Sequence, residues 1–192
     1  MVDSQSASKN YLSLETALSL IADVPDYPKP GILFKDITPL LANGSGFARI
    51  IEELAKQIKN LNVKLDAIVG IESRGFILGG ALANELEIGF VTVRKPGKLP
   101  RDVHRKEYQL EYGFDALEMH KDLLSSEKKV VVVDDVLATG GTALACQELI
   151  NMTGAKTAAH VFLLEIGILQ GRQAIAGLYP EIEIISLLDT NG

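Results

Sequence analysis

The stretch Val130–Ala143 reads VVVVDDVLATGGTA. Val130–Val133 have the apolar, β-branched character of a buried strand, and Asp134 and Asp135 stand where that strand would end. Ala138-Thr139-Gly140-Gly141-Thr142 then turns into a helical pattern. Backbone N–H groups of a glycine-containing turn at a helix N-terminus form an anion-binding nest, and Thr139 and Thr142 add hydroxyl donors. Two carboxylates beside such a nest would repel a phosphate, so they need a different partner. Accepting hydrogen bonds from two vicinal hydroxyls is one that fits. A phosphate next to a diol describes a ribose 5-phosphate. The sequence holds neither GxxxxGK[ST] nor GxGxxG, so the P-loop and dinucleotide fingerprints are both absent.

Three further groupings carry chemistry. Glu72-Ser73-Arg74-Gly75 falls between an apolar strand pattern and a helical one, which puts an arginine beside a helix N-terminus and suits a pyrophosphate. Arg94, Lys95 and Lys98 form a local basic patch that can compensate a leaving group with several negative charges. Phe34, in the proline-rich segment Asp23–Pro39, offers a flat ring for stacking on a base. His104, His120 and His160 match no motif.

The elements that must position these groups alternate along the chain. Tyr11–Ile21 has helical periodicity, with Leu12, Ala17, Leu18 and Ile21 as candidate buried positions. Asp23–Pro39 is ordered but non-helical. Asn43-Gly44 marks a turn, and Ser45 or Gly46 caps a helix carrying Ile50, Ile51, Leu54 and Ile58. Strands are expected at Asp66–Ile71, Ile88–Val93, Lys129–Asp134, Ala158–Leu164 and Glu181–Leu188. Helices are expected at Gly75–Glu85, Gly141–Met152 and Gln170–Ala176. Continuous apolar strands alternating with helices imply an α/β fold with a central, mostly parallel sheet covered on both faces. Lys95–Gln109 breaks the pattern as a long basic loop, placed to serve as a mobile lid over an anionic substrate.

Length and composition bound the function. The 192 residues suit one domain, with residues 1–10 as a flexible tail and 11–192 as a single domain. A net charge of −6 argues against general affinity for nucleic acid or anionic membrane. No apolar run approaches the roughly 20 residues of a membrane helix, and the polar N-terminus has no signal core, so a cytoplasmic location is expected. Cys146 is the sole cysteine and is read as a buried apolar residue.

VVVVDDVLATGGT resembles the phosphoribosyl pyrophosphate (PRPP) signature of the type I phosphoribosyltransferases. Tyr27–Pro39 (YPKPGILFKDITP), Gly70–Gly80 (GIESRGFILGG), Val93–Pro100 (VRKPGKLP) and Glu107–Gly113 (EYQLEYG) resemble, in the same order and similar spacing, the adenine-specific branch. The resemblance covers roughly Asp23 to Glu165. It implies the type I phosphoribosyltransferase fold with a small hood and a flexible loop, and transfer of phosphoribosyl from PRPP to adenine, giving AMP and pyrophosphate. It implies that Asp134 and Asp135 hold the ribose hydroxyls and that Ala138, Thr139, Gly140, Gly141 and Thr142 hold the 5′-phosphate. Glu72, Ser73, Arg74, Arg94, Lys95 and Lys98 would meet pyrophosphate, the basic patch from within the subunit or from the neighbour in a homodimer. A non-proline cis peptide is frequent at the Glu72-Ser73 place in relatives. Leu33, Phe34 and Lys35 would line the adenine pocket, although many relatives carry arginine in place of Lys35. Glu111 matches the family's acid/base residue, with Arg74 counted beside it as catalytic, and Tyr108 and Tyr112 belong to the lid. Mg²⁺ would arrive with PRPP rather than in a cage of protein ligands. The rivals are a phosphoribosyltransferase for hypoxanthine, xanthine or guanine, and a PRPP-sensing regulator on the same fold, which the acidic charge and short N-terminal region disfavour.

Overall fold

The structure is a computed structural model describing residues 12–109 and 114–190. The chain divides into two compact units between Glu53 and Leu54. In the first, helix α1 (Leu14–Leu18) is capped by Ser13, whose hydroxyl accepts the Thr16 N–H at 3.1 Å. A hairpin of β1 (Ala22–Pro25) and β2 (Leu33–Asp36) follows, then α2 (Thr38–Ala42). The helix expected over Tyr11–Ile21 is thus shorter, and of its four candidate core positions Ala17 is the buried one. Helix α3 (Gly44–Lys59) starts two or three residues earlier than expected. Its cap is Asn43, whose Oδ1 accepts the Gly46 N–H at 2.9 Å, not Ser45 or Gly46. Asparagine accepts that bond as well as serine does, so Asn43-Gly44 opens the helix rather than forming a separate turn.

The second unit is built on a sheet of five parallel strands in the order β4-β3-β7-β8-β9. These are β3 (Ala67–Ile71), β4 (Gly89–Val93), β7 (Lys129–Leu137), β8 (Lys156–Ile166) and β9 (Glu183–Thr190). Their near-continuous apolar runs follow from burial on both faces. Ala67, Val69, Ile71, Val130 and Val132 pack on one face with Cys146, Leu149 and Ile150 of helix α5 (Gly141–Thr153). On the other face lies α4 (Arg74–Leu86), where a Cβ at Gly79 would meet Ile68 at 3.3 Å. Helix α6 (Gly171–Leu178) precedes β9. Among the described residues, no helix is long and apolar enough to cross a membrane.

Lys95–Gln109 departs from the expected loop. Its second half is strand β5 (Val103–Gln109), paired antiparallel with β6 (Phe114–His120). The period-two pattern is hidden because the inward positions are amphipathic. Tyr108 packs against the core cluster and Lys106 pairs with Glu148 of α5, while Arg105 and Glu107 are exposed. Long side chains of this kind bury their stems and keep their polar heads in contact with partners.

His160, on β8, is fully buried. It faces Gln147 of α5, with Nε2 3.0 Å from Oε1. Gln147 in turn donates to Asn151 at 2.8 Å, and Asn151 donates to Tyr179 at 3.2 Å. Since Gln147 uses its amide on Asn151, its oxygen requires His160 to donate from Nε2, which leaves Nδ1 bare and unpartnered. Burial lowers the His160 pKa from 6.5 to about 4. The unfolded chain therefore binds a proton on this residue that the folded chain refuses. Stability is intact above about pH 6.5 and falls toward pH 4, by about 3 kcal/mol at full shift. Urea melts of wild type and His160→Gln between pH 7 and 4.5 should show a shallower acid loss in the variant; identical pH slopes would contradict the assignment.

Candidate active site

From β3 the chain crosses through α4 to β4 in one direction, and from β7 through α5 to β8 in the other. The crevice beyond the carboxyl ends of β3 and β7 is therefore a topological switch point, where open α/β sheets bind ligands. Both strongest sequence groupings converge there. Glu72-Ser73-Arg74 follows β3, and Asp134–Thr142 runs from the end of β7 into α5.

The two loops are joined by charge. Arg74 Nε lies 2.8 Å from Asp135 Oδ2, with Asp135 only 5% exposed. Beyond this ion pair no hydrogen bond reaches that oxygen. Asp134 Oδ1 accepts the Asp135 N–H at 2.9 Å. Burial raises the Asp134 carboxyl well above its ordinary value, and the neighbouring Asp135 charge raises it further. Burial also raises Asp135, opposed by Arg74. Gly75 permits the junction, because a Cβ there would sit 2.7 Å from the Val133 carbonyl oxygen and 3.0 Å from Asp134 Oδ1. The peptide Glu72-Ser73 is cis.

Ala138–Thr142 wraps a cavity of about 70 Å³ that Asp134 also lines, several times the roughly 10–15 Å³ one water requires. Gly140 (φ +85°) precedes the first turn of α5, and no side chain caps that turn. Its N–H groups are thus free to meet an anion. Gly171, the first residue of α6, braces the loop from behind; a Cβ there would lie 2.2 Å from the Ala138 carbonyl oxygen. Arg172 fixes α6 in turn. Its Nη2 donates to Glu165 at 2.7 Å and its Nη1 to the Ile184 carbonyl at 2.8 Å. Sequence reasoning missed both residues. A glycine opening a short helix was the available signal for Gly171, and nothing local marks Arg172.

The basic patch is not open. Glu72 Oε2 accepts the Lys95 N–H at 2.9 Å and Arg94 Nε at 3.3 Å, and Oε1 pairs with Lys98 Nζ. Lys95 Nζ pairs with Asp115. Burial raises the Glu72 pKa, but Lys98, the Lys95 amide and Arg94 outweigh it and leave the carboxyl below its ordinary value. The Glu72 carboxylate therefore faces the cations of the Arg94–Lys98 turn.

In the first unit, Leu33 is exposed, and Phe34 packs edge-on to Tyr27 with centroids 5.2 Å apart. Lys35 pairs with Asp23 at 2.6 Å. Tyr108 is held by the core and reaches Asp115 at 3.4 Å. Glu111 and Tyr112 lie outside the described residues.

The family model of the phosphoribosyl transferase domain matches residues 40–174. An adenine phosphoribosyltransferase of Francisella tularensis subsp. holarctica is 52% identical over 166 residues, 86% of this chain and 95% of that one. The chain belongs to the adenine phosphoribosyltransferase family. The crystal structure of the adenine phosphoribosyltransferase from Thermoanaerobacter pseudethanolicus superposes with a TM-score of 0.87 at 46% identity, over 93% of this chain and 100% of that one. The Saccharomyces cerevisiae enzyme, solved with adenine and an imino-altritol bisphosphate, gives 0.83 at 36% identity, over 91% and 98%. The type I phosphoribosyltransferase fold expected from the sequence is the fold observed.

The acid pair of this adenine phosphoribosyltransferase relative makes a stability prediction. With folded pKa values above about 3.9, the folded chain holds protons that the unfolded chain has released. Stability therefore falls as pH rises through the window from about 4 to the raised pKa, and the penalty is complete above it. Asp134→Asn keeps an acceptor for the Asp135 N–H and removes the like charge. Its Tm at pH 7.5 should exceed wild type by about 2–4 °C, the shift that ~1 kcal/mol produces in a chain of this size, and the gain should vanish near pH 4. An unchanged or lower Tm at pH 7.5 would refute the burial of charge at Asp134.

Proposed function

We propose that the chain transfers the phosphoribosyl group of PRPP to adenine, releasing AMP and pyrophosphate, as a salvage enzyme of the pentosyltransferase class. The observation that carries this reading is the adjacent carboxyls of Asp134 and Asp135, the latter buried and paired with Arg74, beside the helix N-terminus at Ala138–Thr142 that no side chain caps. Ribose hydroxyls donate to the carboxylates, and the 5′-phosphate takes the loop N–H groups with Thr139 and Thr142. The helix N-terminus at Ser73 and Arg74 faces the pyrophosphate, with Arg94, Lys95 and Lys98 as further cations. As the bond from the anomeric carbon to the pyrophosphate oxygen breaks, positive charge develops on the ribose and negative charge on the leaving group. A purine ring nitrogen then bonds to that carbon and loses its proton. The chain's contribution is positioning and electrostatic stabilisation.

We assign adenine recognition to Leu33, Phe34 and Lys35, and proton transfer on the purine to Glu111, with Tyr108 and Tyr112 in the covering segment. Mg²⁺ enters as part of the PRPP substrate and neutralises the pyrophosphate; the acid pair, two carboxylates with spare acceptor capacity, suits either the ribose hydroxyls or that ion. Residues 11–192 act as one phosphoribosyltransferase domain with 1–10 as a tail. The enzyme works in the cytoplasm, in keeping with phosphorylated substrates, and as a homodimer. Exposed Ile77 and Phe90, the latter on the sheet's outer strand β4, are the apolar surface that supports the dimer.

With PRPP and Mg²⁺, adenine should be converted to AMP while hypoxanthine, xanthine and guanine react at least 100-fold more slowly. Transfer to hypoxanthine with adenine inert would reverse the base assignment. The double variant Asp134→Asn/Asp135→Asn should lose at least 100-fold in kcat/KM for PRPP, about 2.7 kcal/mol of transition-state stabilisation, with its circular dichroism spectrum unchanged. Near-wild-type turnover would refute the ribose assignment.

A further inference from the structure

Each cation of the Arg94–Lys98 turn is already engaged within the chain, and Glu72 engages most of them. Its carboxylate accepts from the Lys95 amide and Arg94 Nε on one oxygen and from Lys98 Nζ on the other. Arg94 Nη1 also donates to the Lys98 carbonyl at 3.2 Å, which closes the turn on itself. From the opposite side, the backbones of Arg94 and Glu118 exchange hydrogen bonds of 2.9 and 2.7 Å, and Glu118 Oε2 accepts the Gly97 N–H at 2.9 Å. The Glu72 side chain is 11% exposed, whereas Lys98 is 47% exposed. The acid is held from several sides, and the ammonium that pairs with it lies on the solvent side.

Glu72 is also the residue before Ser73 and the α4 N-terminus, so the same short segment ends in an anion-seeking helix start and carries an anion facing the basic turn. A pyrophosphate at that helix start would compete with the Glu72 carboxylate for the same cations. We propose that Glu72 is a positioning residue that acts as an internal counter-ion: it holds Arg94 and Lys98 in place for pyrophosphate and competes with it for Lys98. This rests on the phosphoribosyltransferase reading above. When the leaving group is present, Lys98 swings from Glu72 to it, while the Lys95 amide and Arg94 stay anchored. When pyrophosphate departs, Glu72 retakes Lys98, so the cations are never left uncompensated and release is eased. No bond is made or broken in the exchange.

The test is calorimetric titration of inorganic pyrophosphate with Mg²⁺ into the full chain. Glu72→Gln keeps an acceptor for the Lys95 amide but removes the competing charge. Its pyrophosphate Kd should fall about two- to fivefold, the range expected for a partly exposed ion pair. In the steady state kcat for AMP formation should fall together with KM for PRPP, because release slows. Glu72→Ala removes the anchor as well and should bind pyrophosphate more weakly than Glu72→Gln. Lys98→Gln, a change at an exposed side chain, should weaken binding in the wild-type background and abolish the gain from Glu72→Gln. Unchanged or weaker pyrophosphate binding in Glu72→Gln, or unchanged binding in Lys98→Gln, overturns the inference. If the wild-type chain still makes AMP in that case, the functional reading stands; a wild-type chain with neither AMP formation nor pyrophosphate binding overturns both.

Discussion

Two adjacent carboxylates at the end of a buried strand are an expensive arrangement, and much of the site follows from accommodating it. Asp134 and Asp135 emerge from Val130–Val133, all fully buried, so their charges enter a region of low polarity where repulsion is weakly screened. The guanidinium paired with Asp135 comes from α4, which begins after the neighbouring strand β3. Delivering it requires the N-terminus of α4 to lie against the end of β7, a contact that a side chain at position 75 would block. The acid pair, the arginine and the glycine are thus one device. It holds two carboxyls side by side at the end of β7, both raised by burial and one of them paired with the guanidinium.

A second line of support runs through α6. The Ala138–Thr142 loop is not held by its own residues alone; Leu137, Ala143, Phe162 and Ile175 pack around it, and Gly171 allows the backbone of α6 to touch the Ala138 carbonyl. Arg172 then ties α6 to β8 and β9 through Glu165 and Ile184. A nest of N–H groups binds an anion well only when its geometry is set beforehand, and this chain of contacts supplies the rigidity.

The sheet and the strand-to-helix turn at Ala138–Thr142 were legible in the sequence because both depend on local patterns. Apolar runs bounded by turns mark parallel strands, and an acid pair followed by ATGGT marks a strand-to-helix anion nest. The arm of β5 and β6 was not legible, since its inward residues include Lys106 and Tyr108 and its stability comes from contacts with Glu148 and the core. Nor could the partners of Glu72 be read. Its place beside Ser73 and Arg74 suggests a pyrophosphate ligand, but its direction is set by Arg94 and Lys98, more than twenty residues further along. Gly171 and Arg172 act on the site only through packing, which leaves no local signature. The candidate buried positions near the N-terminus fared worse than those of the sheet, because a helix as short as α1 buries one residue rather than a face.

The central claim is that the end of β7 and the start of α5 together grip a ribose 5-phosphate. A crystal structure of the chain with AMP bound tests it most directly. The account predicts the phosphate oxygens within hydrogen-bonding distance of the N–H groups of Ala138–Thr142 and the ribose hydroxyls on Asp134 and Asp135. A phosphate bound elsewhere, or an acid pair with no hydroxyl on either carboxylate, would contradict it.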